Sequence, residues 1–136
     1  MKEYLLDANV LVRFLVQDDP KQSAAATALF EKAERGEVAL HLDTLAVAET
    51  VYVLIGRYAR GRAEVVNVLL AIIQNAGVET AEEDSVVDAL HRFGAMNVDF
   101  SDAWLAARAA QLGFPVASFD RDFDKFKDIK RFQPEP

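Results

Sequence analysis

Residues 2–15 run Lys-Glu-Tyr-Leu-Leu-Asp-Ala-Asn-Val-Leu-Val-Arg-Phe-Leu, and their pattern changes period at a single acid. Tyr4, Leu5 and Leu6 form a short apolar run with no polar face, the pattern of a strand buried on both sides. Asp7 ends the run. Val10, Leu11, Phe14 and Leu15 then recur at helical spacing. A strand that hands over to a helix at an acid suits an α/β fold, in which ligands gather outside the carboxyl ends of the strands. Asp7 is therefore either a helix cap, a role Asp fills well, or a residue that holds a ligand.

The remaining chain repeats this alternation. Asp19 followed by Pro20 reads as an N-cap and first helical residue. Ala24, Ala25, Ala28, Leu29 and Ala33 mark one face of the helix that follows, and Gly36 stops it. Val38–Leu42 predicts a second buried strand. Thr44 is expected to cap a helix reaching about residue 58, whose apolar residues leave almost no polar stripe. A helix apolar nearly all round is buried. Glu49 stands inside it among Leu45, Ala46, Tyr52 and Val53. A lone buried carboxylate would lose much of its solvation, so Glu49 is expected to be partnered, protonated or metal-bound.

Arg57, Arg60 and Arg62 form the densest arginine cluster. They are either solvated loop residues or a patch that steers phosphates. Residues 63–75 predict a helix stopped by Gly77, with more apolar residues than one buried face needs. Part of that helix is expected to pack against a second copy of the chain. Residues 78–80 predict a third strand. Residues 82–95 predict a helix with Val86, Val87, Leu90 and Phe93 inward. His41 and His91 read as structural or surface residues. Asp99 and Asp102 precede a helix over 103–112 closed by Gly113, where they fit a cap and an N3 acid. Residues 115–119 predict a strand with Asp120-Arg121-Asp122-Phe123 at its carboxyl end, and residues 129–132 a last edge strand. The order is that of an α/β fold with a parallel sheet. At 136 residues one domain, 1–136, is expected.

Composition narrows the chemistry. There is no Cys, which removes disulfides, cysteine–zinc sites and thiol nucleophiles. The net charge of −7 and pI of about 4.8 argue against wide contact with phosphates. They leave room for an enzyme whose excess charge is concentrated at a metal. No apolar stretch approaches the ~18 residues of a membrane span. Glu3, Asp7 and Arg13 interrupt any signal-peptide core. A soluble, cytoplasmic protein with no membrane contact is expected.

Four carboxylates stand at matching places in this scheme. Asp7 and Asp120 follow strands, Asp102 lies at a helix start, and Glu49 lies early in a helix that follows a strand. All four can converge on one sheet edge. Converging carboxylates repel, and some protonate unless a cation intervenes. Mg²⁺ prefers such oxygen ligands and keeps several waters. Two such ions can activate a water and steady the leaving oxygen of a phosphodiester.

The segments Leu6-Asp7-Ala8-Asn9-Val10-Leu11, Glu49 in its apolar helix, Asp102-Ala103-Trp104-Leu105-Ala106-Ala107 and Ser118-Phe119-Asp120-Arg121-Asp122-Phe123 span nearly the whole chain. In that order they resemble a PIN-domain nuclease, in particular the VapC-type toxin ribonucleases. The resemblance implies a PIN-like three-layer domain, with a central parallel five-stranded sheet flanked by helices. It implies metal-dependent cleavage of RNA with Mg²⁺ or Mn²⁺, with Asp7, Glu49, Asp102 and Asp120 as the acidic ligands. Asn9 matches a polar position beside the first acid, although Ala8 stands where the family often has Thr. Ser118 matches a hydroxyl position that orients a carboxylate or a water. Asp99 and Asp122 are further acids near the rim, in supporting roles. The resemblance also implies a homodimer and a small VapB-like antitoxin that blocks the acidic cleft, a partner suited to unpaired negative charge.

Other readings stand beside this one. A housekeeping PIN nuclease that processes RNA or DNA would carry the same residues. A catalytically silent binding module would have little reason to tolerate the acidic repulsion. A metal-dependent phosphohydrolase or phosphoacceptor on another doubly wound fold lacks support, because there is no glycine-rich phosphate loop and no Lys at a late strand end.

Overall fold

A computed structural model describes residues 1–136. The chain runs β1 (Lys2–Leu5), α1 (Ala8–Leu15), α2 (Pro20–Glu34), β2 (Val38–Leu42), α3 (Thr44–Gly56), α4 (Arg62–Gln74), β3 (Val78–Thr80), α5 (Glu83–Ala95), α6 (Phe100–Leu112), β4 (Val116–Ala117) and β5 (Arg131–Phe132), with one 3-10 turn at Arg121–Lys125. Its contacts gather into two units, Met1–Glu83 and Asp84–Pro136. No helix is long and apolar enough to cross a membrane.

The first unit is built on a parallel sheet in the order β1-β2-β3, with Tyr4 opposite Leu40 and Leu40 opposite Val78. β2 is the middle strand, and Val38, Ala39, Leu40 and Leu42 are buried. The expectation that β1 is buried on both sides is overturned. Lys2–Leu5 are all exposed, Leu5 to 75%, and burial begins only at Leu6. β1 has one ladder neighbour where β2 has two, and it carries Lys2 and Glu3, so it is covered less.

α1 packs against α2 and α3, with Phe14 and Phe30 stacked at 4.2 Å. Asp19 caps α2 as expected, accepting the Gln22 N–H at 3.1 Å, with Pro20 at the first helical position. The buried face of α2 differs from the expected alanine face. It comprises Ser23, Ala26, Phe30 and Ala33, while Ala24, Ala25 and Ala28 are exposed. Alanines at helical spacing occur on several faces of this helix, and the single large ring, Phe30, decides which one turns inward. Gly77 has φ +83°, and a Cβ there would stand 2.3 Å from the Ala33 carbonyl oxygen, so only glycine fits between α2 and β3.

α3 departs most from expectation. Asp43, not Thr44, is its N-cap, and the helix stops at Gly56. It buries one face, Ala46, Val47, Thr50, Val51 and Leu54. The opposite stripe is open: Leu45 is 78% and Tyr52 57% exposed, and Glu49 between them is exposed too. α4 buries Val65, Val66, Leu69, Ile72 and Ile73 within the chain and leaves Val68 and Leu70 half-buried.

In the second unit α5 contributes Val86, Ala89, Leu90 and Phe93 to a core shared with Phe100 and Ala103 of α6 and with Phe123 and Phe126. Gly113 closes α6 in the left-handed conformation, φ +73°. Arg92, its side chain 12% exposed, ties α5 to the C-terminal segment. It donates to Asp128 through both terminal nitrogens at 2.8 and 2.5 Å, and its Nε lies 3.2 Å from both Asp88 oxygens. Val116 pairs with Arg131 and Ala117 with Phe132 in a parallel ladder.

All ladders are parallel, as an α/β chain with six helices requires. The expected single five-stranded sheet is not formed. The strands fall into a three-stranded and a two-stranded sheet. β4 and β5 are two residues each instead of the longer runs expected over 115–119 and 129–132, and such short strands offer few ladder bonds.

Candidate metal centre

Two joints of the first unit share one design. β1 ends at Leu5 and Asp7 stands at the N-cap of α1; β2 ends at Leu42 and Asp43 stands at the N-cap of α3. Both have extended N-cap backbone, and neither carboxylate accepts a capping hydrogen bond. Asp7 is thus a cap by position only, and its exposed side chain stays available to a ligand. Asp43 was not singled out from the sequence. Its signal is the Leu-Asp step between strand and helix, the same step as Leu6-Asp7. Asn9 lies in the first turn of α1 and is exposed.

Glu49 lies in the second turn of α3 and faces outward. The expectation that burial forces it to find a counter-charge is overturned. Its own helix turns the other side to the core, so its carboxylate keeps contact with solvent. What remains for Glu49 is its place in the chain, early in a helix that follows a strand.

The second unit brings acids together. Asp99 is the N-cap of α6, again without a side-chain capping bond, and Asp102 is its N3 residue. The expected local cap pair therefore does not absorb these carboxylates. Asp120 caps the 3-10 turn and accepts the Asp122 N–H at 2.8 Å. The Ser118 hydroxyl oxygen accepts the Asp120 N–H at 2.9 Å, which fixes the backbone on which Asp120 stands. Asp102, Asp120 and Asp122 each present a carboxylate oxygen, and these oxygens all lie within 4.8 Å of one another. Asp122 thus belongs to the cluster itself and not to its surroundings. The i, i+2 spacing of Asp120 and Asp122 was the signal, and the tight turn makes the spacing count. Lys125 Nζ pairs with one of the three, 3.2 Å from Asp122.

The electrostatics follow from this geometry. Partial burial, first, and then the negative charges of Asp120, Asp99 and Asp122 raise the Asp102 carboxyl above the usual Asp range. A cation among the three oxygens would reverse that bias. The donor set consists of carboxylate oxygens only, which suits a hard divalent ion such as Mg²⁺ or Mn²⁺.

The arginine segment is partly committed. Arg60 pairs with Glu64 at 3.0 Å, and Arg62 is engaged within the chain. Arg57 is exposed, with its guanidinium 5.6 Å from the centre of the Tyr58 ring. The Tyr58 hydroxyl donates to Asp18 at 2.9 Å, and Arg13 donates to the same carboxylate at 2.5 Å. His41 bridges acids of the flanking strands, Glu3 at 3.0 Å and Glu79 at 3.9 Å. It is a half-exposed residue of the sheet.

No curated protein matches the chain. The model of the PIN domain matches residues 4–129, nearly all of it, and PIN domains are generally metal-dependent nucleases that act on nucleic acids. With strand-end and helix-start acids in place and an all-carboxylate cluster between α6 and the turn after β4, this chain belongs to the PIN domain family.

Proposed function

We propose that the protein is a metal-dependent endoribonuclease that hydrolyses RNA phosphodiesters, and that it is a VapC-type toxin of a toxin–antitoxin pair. The observation that carries the nuclease reading is the approach of the Asp102, Asp120 and Asp122 oxygens within 4.8 Å. Three carboxylates that close repel strongly, and a fold that keeps them there has a use for a cation. Asp102 and Asp120 would hold the ion with Asp122 beside them, and Asp7 and Glu49 are the acids of the first unit that match the family's remaining ligand positions. A bound Mg²⁺ or Mn²⁺ supplies an activated water and neutralises charge on the phosphodiester.

The chain's own groups do the rest. Asp99 adds negative charge behind Asp102. Ser118 holds the backbone of Asp120. The Asn9 amide, two residues beyond Asp7, orients substrate. Arg57 draws the RNA backbone in, with Arg60 and Arg62 beside it. The acidic surface that remains suits a small basic partner, a VapB-like antitoxin, and a homodimer in the cytoplasm is the assembly that accompanies it.

The test is cleavage of a structured RNA and a matched DNA by the purified chain, with Mg²⁺, with Mn²⁺ and with a chelator. RNA cut internally only when metal is present supports the proposal. Intact RNA under all three conditions overturns it, and equal cutting of DNA transfers the chain to the housekeeping nucleases. A melting temperature that rises with Mg²⁺ reports the ion independently of activity, since a ligand of the folded state stabilises it. Light scattering on the eluted protein checks the dimer; a strictly monomeric mass at micromolar concentration removes it.

A further inference from the structure

The two short strands of the second unit end in bare aromatic surface. Burial alternates along β4 and the residues after it: Val116 is buried, Ala117 exposed, Ser118 half-buried and Phe119 72% exposed. β5 alternates in step, with the Arg131 side chain 11% exposed and Phe132 57% exposed. Ala117 pairs with Phe132 in the parallel ladder, and paired residues share a face. Ala117, Phe119 and Phe132 therefore stand on the outward face. Lys130, exposed and two residues before Phe132, stands there too.

The backbone that carries the rings is fixed. The Ser118 N–H donates to the Phe132 carbonyl at 3.0 Å, and the Ser118 hydroxyl oxygen accepts the Asp120 N–H. Arg131 donates to the Ser118 carbonyl at 3.2 Å and to Asp124 at 3.0 Å. Phe119 thus projects from a chain pinned on both sides of it. Neither ring packs against another aromatic ring, unlike Phe93 with Phe100 or Phe123 with Phe126. Their flat faces stay open.

Size, charge and position select the occupant. A phenylalanine offers at most ~150–250 Å², so two part-exposed rings fall well short of the ~800 Å² per partner that a stable protein interface buries. They match nucleobases, which stack on open aromatic rings when unpaired. The chain carries a net charge of −7, yet residues 121–133 hold five of its 15 Lys and Arg against three acids. Arg121, two residues beyond Phe119, and Lys130, two before Phe132, are exposed and suit the phosphates between stacked bases. Phe119 also immediately precedes Asp120. Adjacent Cα atoms are about 3.8 Å apart, so the ring and the carboxylate stay within reach of one or two consecutive nucleotides whatever their rotamers.

We propose that Phe119 and Phe132 form a stacking platform for unpaired bases of single-stranded RNA next to the Asp102, Asp120 and Asp122 cluster, and so select single-stranded over duplex substrate. The choice of RNA rests on the nuclease reading above, and the experiment separates the two. In the first arm, a single-stranded hexaadenylate is titrated into the parent with Ca²⁺ in place of Mg²⁺ to neutralise the cluster. The ring protons of Phe119 and Phe132 are followed by NMR and assigned by their loss in Phe119→Leu and Phe132→Leu. Saturable upfield shifts are expected, as stacked bases produce. An abasic hexamer with the same phosphates and a duplex of the same length should leave the rings unshifted. Each Leu variant should bind the hexaadenylate about tenfold more weakly. Phe119→Trp should restore binding, and melting temperatures should stay near the parent's. In the second arm, cleavage of a single-stranded RNA is measured. Phe119→Leu should raise KM about tenfold and lower kcat far less, the mark of lost substrate binding.

Ring shifts that are absent, or equally large with the abasic hexamer, overturn the proposal and leave the nuclease reading standing. A KM unchanged in both Leu variants does the same. Base-dependent ring shifts in a chain that cuts no RNA support the platform and overturn the nuclease reading instead. A dimer mass that is lost in both Leu variants, with no ring shift from any oligonucleotide, makes the rings a contact between copies and also overturns the proposal.

Discussion

The acidic helices α3 and α6 place their carboxylates in opposite surroundings. Glu49 is flanked in sequence by apolar residues, yet it stands on the exposed stripe of α3 with Leu45 and Tyr52. Asp102 follows Phe100 and Ser101 at an ordinary helix start, yet it is half-buried with two further acids beside it. An apolar neighbourhood in the chain is thus no measure of desolvation. The cost of a charge is set by what packs over it, and α3 packs only one face. Asp102 faces both partial burial and like charge, so a cation has most to gain there.

The sharpest way to break this comparison is Asp102→Asn. Loss of a ligand whose ion contributes several kcal/mol should slow RNA cleavage roughly 10²–10³-fold. The Mg²⁺-induced rise in melting temperature should go with it. Cleavage at the parent rate would show that the crowded cluster is not the centre of the chemistry.

Glu49→Gln asks whether the exposed acid shares in that chemistry. Loss of cleavage by about tenfold or more, with the melting temperature unchanged, is expected, because exposed substitutions shift stability by less than ~0.5 kcal/mol. Full activity would remove Glu49 from the acidic set.

Asp128→Asn tests structural rather than functional charge in the second unit. Hydrogen bonds from Arg92 chiefly hold the Asp128 carboxyl below its usual range. Asp128 is more than half exposed, so after screening the pair stabilises by about 1 kcal/mol. The variant should melt about 3–5 °C lower. The sign is that of a depressed acid. The stabilisation is present above the ordinary Asp range and is lost as pH falls through the lowered value, so parent and variant should converge in acid.

Asp102 has the opposite sign and the smallest effect. Its carboxyl is raised by burial and by Asp120, Asp99 and Asp122. Without metal, its contribution to stability is present at low pH and is lost as pH rises through the raised value. Chelator-treated parent should therefore lose slightly more stability than Asp102→Asn does as pH rises from the ordinary Asp range through the raised value, as read by urea unfolding. Saturating Mg²⁺ should reverse the slope, because the ligands must be deprotonated to bind it.

Legibility differed between elements for physical reasons. The joints were legible: the change of period at Asp7, the Asp19-Pro20 start of α2, the span of β2 and the stop at Gly113 all depend on local backbone chemistry. Faces were harder. In α2 the alanines fitted several stripes, and Phe30 chose among them. In α3 the apolar residues were too many to show which side would stay uncovered. Sheet assembly was harder still, because the grouping of strands rests on pairing between distant residues. For the site, Asp102 was recognisable as a helix-start acid and Asp120 as a strand-end acid, whereas the inclusion of Asp122 depended on a 3-10 turn with a hydrogen bond from its own N–H to Asp120.

The sequence by itself determined where strands give way to helices, which acids stand at those junctions, and membership of a PIN-type chain, since these follow from period, caps and motif order along a few neighbouring residues. Only the tertiary structure decided that Glu49 faces out, that β1 is uncovered, and that three aspartates from α6 and the turn after β4 crowd together. Burial and charge repulsion are properties of distances between segments far apart in the chain, and such distances exist only once the chain has folded.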